Sequence, residues 1–164
     1  MAKTSYALAL GSNRRSRFGS PAATVRAAIG TLAVDAASRI HLTPALGPAG
    51  RSFANAAAIL TTGLDPPALL DRLKRVEREF GRRGGRKWGP RVLDIDILLW
   101  SGGAWAEPGL LVPHPEFRSR AFVLEPLADI APDWRDPLTG ATVRQLLRRL
   151  RRPSRAVDRE RPPT

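Results

Sequence analysis

The sequence contains no cysteine, which excludes disulfide bonds, thiolate catalysis and cysteine-ligated zinc or iron–sulfur centres. No apolar run approaches the roughly 20 residues that a helix needs to span a bilayer. The apolar stretch at residues 6–10 is shorter than the about 7–15 residues of a signal-peptide core. These absences predict a soluble, cytoplasmic protein that does not act at a membrane.

Two common phosphate-binding motifs are also missing. The pattern G-x-x-x-x-G-K-[ST] does not occur, and no G-x-G-x-x-G follows the first predicted strand. Gly11, Ser12 and Asn13 stand where that strand meets a helix, but three such residues alone are weak evidence for a nucleotide site. The sequence therefore disfavours a P-loop or Rossmann protein.

The chain has 164 residues, of which 43% are hydrophobic and 26% charged, so it is long and apolar enough for one globular domain. Its net charge of +12 favours a polyanionic partner such as a phosphorylated ligand or nucleic acid. The charge is concentrated in two segments. Residues 72–91 carry nine basic and two acidic side chains, and residues 142–164 carry eight and two. Two local clusters, rather than a generally basic surface, need a functional explanation.

Hydrophobic periodicity predicts a mixed α/β fold. Strands are expected at residues 6–10, 39–42, 53–62 and 92–99, and helices are expected to begin near residues 21 and 65. The resulting order, β-α-β-β-α-β, is typical of the ferredoxin-like sandwich, in which helices cover one face of an antiparallel sheet. Two more helices are expected near residues 121–130 and 143–150. Residues 1–150 then form a single domain, and residues 151–164 form a basic, flexible tail.

The last predicted strand of the sandwich carries two carboxylates. Because side chains alternate along a strand, Asp94 and Asp96 share one face, with Cα atoms about 6.5–7 Å apart. Mg²⁺ in proteins takes one or two carboxylates together with waters and substrate phosphates, which suits this pair. The alternative is an ordinary solvated strand face.

A glycine-rich and strongly basic segment, residues 81–87, precedes these aspartates. Arginine side chains match phosphate oxygens, and glycines let a loop close over a phosphate chain. The alternative is a flexible, solvated loop without a ligand. A diacid strand beside such a loop predicts a Mg²⁺–nucleotide site.

Other candidate residues lie outside the diacid strand. His114 stands between two prolines, where it can bind a phosphate or transfer a proton, and Arg120 can join it at an anion. Phe53 and Asn55 share a strand face and can stack on and hydrogen-bond a flat heterocycle. The alternatives are a loop histidine without a role, a core phenylalanine and a polar group at a strand end. His41, on a predicted strand, is interpreted as structural.

Residues 87–98 (KWGPRVLDIDIL) resemble the signature of the hydroxymethyl-dihydropterin pyrophosphokinase family. Four shorter stretches support the resemblance: LGSN at residues 10–13, FANA at 53–56, PHP at 113–115 and RAFVLEPL at 120–127. They occur in the family's order and cover about residues 5–140.

The resemblance implies a reaction and its partners. The family transfers pyrophosphate from ATP to 6-hydroxymethyl-7,8-dihydropterin and releases AMP, a step of folate biosynthesis that uses two Mg²⁺ ions. It also implies a ferredoxin-like fold. A monofunctional monomer that binds no nucleic acid is expected.

The resemblance further implies site residues. The implied catalytic residues are Arg82, Arg91, Asp94 and Asp96, of which the two aspartates are the metal ligands. The implied nucleotide-binding residues are Lys74, Glu77, Arg83, Trp88, Arg91, Ile97, His114 and Arg120. The implied pterin-binding residues are Thr43, Pro44, Leu46, Phe53, Asn55, Trp88 and Phe122. The second phosphate-binding position of the basic loop falls on Arg83, Arg86 or Lys87.

Two other functions compete with this interpretation. A ferredoxin-like RNA-binding module would suit the basic charge, but the sequence lacks the aromatic-rich strand pattern with which such modules stack bases. An ordinary Mg²⁺-dependent kinase would use the same diacid but release ADP.

Overall fold

A five-stranded antiparallel sheet organises the chain, and two of its short strands share one edge position. The computed structural model describes residues 2–44, 52–81 and 91–152. The elements in chain order are β1 (Thr4–Ser12), α1 (Pro21–Leu32), β2 (Ala36–Ala37), β3 (His41–Thr43), β4 (Phe53–Thr62), α2 (Pro66–Gly81), β5 (Asp94–Trp100), β6 (Trp105–Glu107), β7 (Leu110–Val112), α3 (Ala121–Ile130) and α4 (Val143–Arg151). A short 3₁₀ turn, Phe117–Ser119, precedes α3.

The strand order confirms the predicted ferredoxin-like topology. The sheet runs β2-β4-β1-β5 with antiparallel neighbours, and β3 also pairs with β4. The strand predicted at residues 39–42 is therefore part of an interrupted strand. Ser38 lies at the interruption, where its Oγ accepts the Ala57 N–H at 2.9 Å and its own N–H donates to the Ala57 carbonyl at 2.8 Å.

The first two helices pack on one face of the sheet. Tyr6, Leu8 and Leu10 of β1 alternate onto this face, as the period of a strand requires. They contact the apolar sides of α1 and α2, where Leu69 and Leu73 are fully buried. Burial of these side chains supplies the main stabilisation of the two layers.

The last two helices pack on the opposite face of the sheet. They add a third layer to the predicted two-layer sandwich. Leu124 and Leu127 of α3 and Leu146 and Leu147 of α4 form a second core against Ala57 and the end of β5. Thr142 caps the start of α4 in a capping box: its Oγ1 accepts the Gln145 backbone N–H, and the Gln145 Oε1 accepts the Thr142 backbone N–H. No helix in the described part of the chain is long and apolar enough to cross a membrane.

A bulge in β5 divides this second face into a covered half and an open half. The register with β1 shifts between Ala7 and Leu8, leaving Leu98 as an extra residue. Leu98 and Leu99 consequently both lie in the second core. Towards the other end of β5, the alternation places Asp94 and Asp96 beyond the cover of the helices.

The segment between β5 and α3 folds into a hairpin that was not predicted. Strands β6 and β7 pair through a turn at Pro108 and Gly109, whose φ of 83° favours glycine. Leu110 and Val112 of β7 extend the first core. The hairpin lies beside the open half of the sheet and contributes one wall of the site.

Candidate active site

A cavity of about 680 Å³ occupies the open half of the sheet. It extends from the face covered elsewhere by α3, around the free edge of β5, to the side of α2. The predicted site residues that line it are Phe53, Asn55, Lys74, Glu77, Arg91, Asp94, Asp96, Ile97, His114, Arg120 and Phe122. These residues lie far apart in the sequence, and the fold brings them together on or next to β4, α2, β5, β7 and α3.

The two aspartates of β5 face this cavity with their side chains 58% and 47% exposed. The Nε of Arg91 lies 3.2 Å from Oδ1 of Asp94, and the Nε2 of His114 lies 4.0 Å from Oδ2 of Asp96. Each carboxylate therefore has a nitrogen-bearing side chain nearby and remains about half exposed.

These oxygens suit a hard cation. In the described ranges, no group of three or more His, Cys, Asp or Glu side chains is arranged to hold a metal ion by itself. A site built from Asp94 and Asp96 alone matches Mg²⁺, which is commonly held by one or two carboxylates and completed by waters and substrate phosphates. The donor set therefore fits a cation that is bound together with a nucleotide.

The orientation of His114 is fixed by its backbone surroundings. Its N–H donates to the Leu98 carbonyl at 2.9 Å, and its Nδ1 accepts the Glu116 N–H at 3.1 Å. A neutral imidazole that accepts at Nδ1 carries its proton on Nε2. His114 consequently presents a hydrogen-bond donor to the cavity. This donor can bind a phosphate oxygen, but it cannot accept a proton from a substrate.

Glu77 of α2 reaches the free edge of β5. Its Oε1 accepts the N–H of Ile95, the residue between the two aspartates, at 3.1 Å. Burial raises the pKa of Glu77, although the hydrogen bond from Ile95 and the charge of Lys74 oppose that rise. A carboxyl group of α2 thus tethers the diacid strand at its centre.

A row of paired residues crosses the open face. Asn55 of β4 stands opposite Gly11 of β1, which in turn stands opposite Asp94 of β5. With adjacent strands about 4.8 Å apart, Asn55 and Asp94 lie roughly 10 Å from each other. A Cβ atom at position 11 would lie 3.0 Å from the Oδ1 of Asn55, so glycine leaves space for the amide.

Apolar and basic side chains surround this row. Phe53 and Phe122 are 45% and 50% exposed, which is unusual for large aromatic side chains in a domain with two well-packed cores. The guanidinium of Arg120 lies 5.7 Å from the Phe122 ring centre and forms an ion pair with Glu116. The cavity therefore combines two accessible aromatic rings with a cation.

Several predicted residues are not brought into the cavity or lie elsewhere. Thr43 and Pro44 are exposed at the end of β3, and neither lines the cavity, although Thr43 stands opposite Phe53 in the strand register. Leu46, Arg82, Arg83, Arg86, Lys87 and Trp88 lie outside the described residues, so their predicted roles remain predictions.

The sequence interpretation also missed part of the cavity wall. Leu70 lines the cavity one helical turn before Lys74, a spacing that places both on one side of α2 and could have indicated it. Leu110 and Leu111 line the wall formed by the hairpin. The Pro108-Gly109 pair was the available signal for that turn.

Comparison with known protein families identifies this architecture. The model of the 7,8-dihydro-6-hydroxymethylpterin-pyrophosphokinase family matches residues 7–132 of the chain. The chain belongs to this family. The matched region contains every predicted site residue. It includes Asp94 and Asp96 of β5 and the row formed by Asn55, Gly11 and Asp94.

Individual pyrophosphokinases of the family are similar over different lengths. The chain is 40% identical over 150 residues to the 2-amino-4-hydroxy-6-hydroxymethyldihydropteridine pyrophosphokinase of Methylorubrum extorquens, covering 87% of this chain and 91% of that protein. Proteins of the same name from Synechocystis and Pseudomonas aeruginosa are 40% and 48% identical, covering 74% and 62% of this chain. The chain spans 62% and 64% of those two relatives, which is under two thirds of their length.

Solved structures show the same fold. Wild-type HPPK–DHPS of Plasmodium falciparum superposes with a TM-score of 0.69 at 14% identity, covering 90% of this chain and 41% of that one. At this low identity the likeness supports the fold alone. It agrees with the strand order and the added helical layer described above.

Proposed function

We propose that the protein transfers the pyrophosphoryl group of ATP to the hydroxymethyl group of 6-hydroxymethyl-7,8-dihydropterin and releases AMP. The observation that carries this proposal is the row formed by Asn55, Gly11 and Asp94 on one open face. A heterocycle held at Asn55 and a metal–triphosphate held at Asp94 would then meet across a single glycine. Membership of the pyrophosphokinase family favours this reaction over the RNA-binding alternative.

The pterin is proposed to bind between Phe53 and Phe122. Both rings are half exposed at the cavity, and a flat heterocycle can stack on each of them. Asn55 offers an amide oxygen acceptor and an amide NH₂ donor group beside them, which match the complementary edge of a pterin ring. Stacking on an aromatic side chain contributes about 1–3 kcal/mol per base in nucleic-acid complexes, a reasonable scale for this ring.

ATP is proposed to bind along the free edge of β5. Arg91, His114, Arg120 and Lys74 present donors to the cavity on either side of the diacid. Arg82 and Arg83 of the basic loop are proposed to add to this set. Positive groups that surround a transferred phosphoryl group stabilise the charge that builds on its oxygens.

Asp94 and Asp96 would hold Mg²⁺ with the triphosphate. When bound, the cation neutralises phosphate charge and orients the group for in-line attack. The protein side chains then hold the two substrates in register, and this positioning is expected to provide most of the rate enhancement.

The chemical step balances with one proton. The pterin hydroxymethyl oxygen forms a bond to the β-phosphorus, while the bond from that phosphorus to the α–β bridging oxygen breaks. AMP leaves with the bridging oxygen, and the hydroxyl proton is lost. We assign Asp96 as the carboxylate that accepts this proton, because His114 presents an N–H and cannot accept it at Nε2.

The test is the identity of the nucleotide product. The protein is incubated with ATP, Mg²⁺ and the reduced hydroxymethyl-pterin, and nucleotides are separated by chromatography. AMP that forms only in the presence of the pterin supports the proposal. Pterin-dependent ADP would indicate an ordinary kinase, and no pterin-dependent product would contradict the substrate assignment.

A further inference from the structure

A histidine–carboxylate pair lies on the same face of the sheet but outside the cavity lining. The Nε2 of His41, in β3, lies 2.6 Å from the Oδ2 of Asp129, in α3, although the two residues are 88 positions apart in the chain. Their side chains are 17% and 31% exposed, so the pair is largely shielded from solvent. Within the described residues, this contact forms a direct polar link between β3 and the helical layer.

The strand end of this pair adjoins the proposed pterin pocket. His41 is the register partner of Asn55, and Thr43 is the partner of Phe53. Paired Cα atoms in an antiparallel sheet lie about 4.5–5.5 Å apart. His41 therefore extends the row of Asn55, Gly11 and Asp94 by one strand.

The helix end of the pair adjoins the same pocket from the opposite side. Phe122 and Asp129 belong to one helix and are separated by about two turns, which places them on one helix face roughly 10 Å apart. Phe122 lines the cavity at the start of α3, while Asp129 anchors the other end of that face to β3. The pocket walls are thus carried by two elements that the His41–Asp129 contact joins.

From this arrangement we infer that His41 and Asp129 are positioning residues for the heterocycle. The inference rests on the proposed function. Their contact sets the separation between α3, which carries Phe122, and the β3–β4 pair, which carries Phe53 and Asn55. An aromatic sandwich tolerates little change in spacing, because stacking weakens steeply once the rings lose contact with the ligand.

A third charged group at this site has a small role. The Nε of Arg39 lies 3.6 Å from the same Asp129 oxygen, but its side chain is 75% exposed. Exposed ion pairs of this kind contribute little because water screens them. Arg39→Ala therefore serves as a control that leaves the main contact intact.

The test compares two Michaelis constants in variants of the full chain. Asp129→Ala and His41→Ala should each raise the KM for the pterin about fivefold or more while the KM for ATP stays within about twofold, since only the heterocycle pocket loses its alignment. Asp129→Asn keeps an oxygen acceptor for the His41 N–H, so it should restore most of the affinity. The double variant should be no worse than the poorer single variant, because the two side chains act through one contact.

Glu125→Ala is the matched control on the same helix. Glu125 pairs with Arg151 of α4 at 3.4 Å and is not a partner in the His41–Asp129 contact. The inference is overturned if the pterin KM is unchanged in the folded variants, if both KM values rise together, or if Glu125→Ala gives the same rise. Wild-type enzyme that forms no AMP would instead contradict the proposed function, so the two failures are distinguishable.

Discussion

The Oε1 of Glu77 accepts the backbone N–H of Ile95, and this single contact ties α2 to the midpoint between Asp94 and Asp96. The other edge of β5 pairs with β1, so the diacid strand is held from both sides. A strand that is fixed in this way presents its two carboxylates in a constant geometry to a ligand in the cavity.

Two substitutions at Glu77 should distinguish the effect of its hydrogen bond to Ile95 from the effect of its negative charge. Glu77→Gln keeps an acceptor oxygen for the Ile95 N–H, and turnover should stay within about tenfold of wild type. Glu77→Ala removes the acceptor and should lower both turnover and stability, the latter by about 1.5–3 kcal/mol, as for hydrogen bonds to charged groups. Urea unfolding and AMP formation measure the two effects. Equal turnover in the Ala and Gln variants would contradict the tether.

The pH dependence of stability provides a second readout of Glu77. Burial raises the pKa of Glu77 in the folded state above the unfolded value of 4.5. At pH values between the unfolded and the folded pKa, the folded state therefore binds the proton more tightly than the unfolded state does. The contribution of Glu77 to the free energy of unfolding is therefore greatest at low pH and falls as pH rises through that window. Glu77→Gln should show a smaller decline than wild type in urea unfolding between about pH 4 and 7. Parallel curves would assign the titration to other groups.

The diacid itself should be needed for turnover and not for folding. Asp94→Asn and Asp96→Asn should each reduce AMP formation by about a thousandfold or more, the scale on which loss of charge stabilisation acts. Because both side chains are about half exposed, the melting temperature should change by only a few degrees. Asp133→Asn, at an acid that is 76% exposed, should change neither quantity. Retained activity with a large loss of stability would make the aspartates structural.

A methyl group at position 11 should disturb the heterocycle side of the site. The Cβ of Gly11→Ala would lie 3.0 Å from the Asn55 Oδ1, so the amide must move. The KM for the pterin should rise about tenfold or more with a smaller change in the KM for ATP. Gly30→Ala in α1 is the control, because its added Cβ meets no atom within 4 Å other than its chain neighbours and the backbone of its own helix. A normal pterin KM in Gly11→Ala would separate Asn55 from pterin binding.

A buried ion pair away from the cavity should govern acid stability. Arg118 donates from Nη2 to Asp136 Oδ1 at 2.8 Å, and the Asp136 side chain is fully buried. Burial acts to raise the pKa of Asp136, but hydrogen bonds from Arg118, Thr139 and the Leu138 N–H outweigh it and lower the pKa to about 2. Its stabilisation is thus complete above the unfolded pKa of 3.8 and is lost as pH falls towards 2.

Substitution at this pair gives the corresponding stability test. Asp136→Ala leaves the Arg118 charge without its partner and should lower the free energy of unfolding by about 3–5 kcal/mol. Asp133→Ala, at the exposed Arg144 pair, should lower it by less than about 1 kcal/mol. Thermal and urea unfolding at neutral pH measure both. Similar losses in the two variants would refute a special role for the buried pair.

Local patterns in the sequence were sufficient for the diacid strand and the topology. The alternation of Leu93, Ile95 and Ile97 with Asp94 and Asp96 predicted which side chains share a face, because strand geometry fixes that alternation. The two amphipathic helices and four strands predicted the ferredoxin-like order for the same reason. The resemblance to the family added the individual roles of other residues.

Features that depend on register and on distant contacts could not be predicted in this way. Nothing near Gly11 indicates that Asn55 and Asp94 flank it, since strand pairing is decided by burial across the whole sheet. The contact of His41 with Asp129 likewise arises only when α3 packs on the second face. The sequence indicated helices in this region but not which face they cover.

The most direct test of the account follows phosphorus atoms from ATP labelled at the β-position. The reaction is run with Mg²⁺ and the reduced hydroxymethyl-pterin, and the label is traced in the separated products, with Asp94→Asn as the inactive control. Transfer of a pyrophosphoryl group predicts that the β-label appears in the pterin product and that the unlabelled nucleotide product is AMP. A β-label that remains in ADP, with only the γ-phosphorus transferred, would contradict the account.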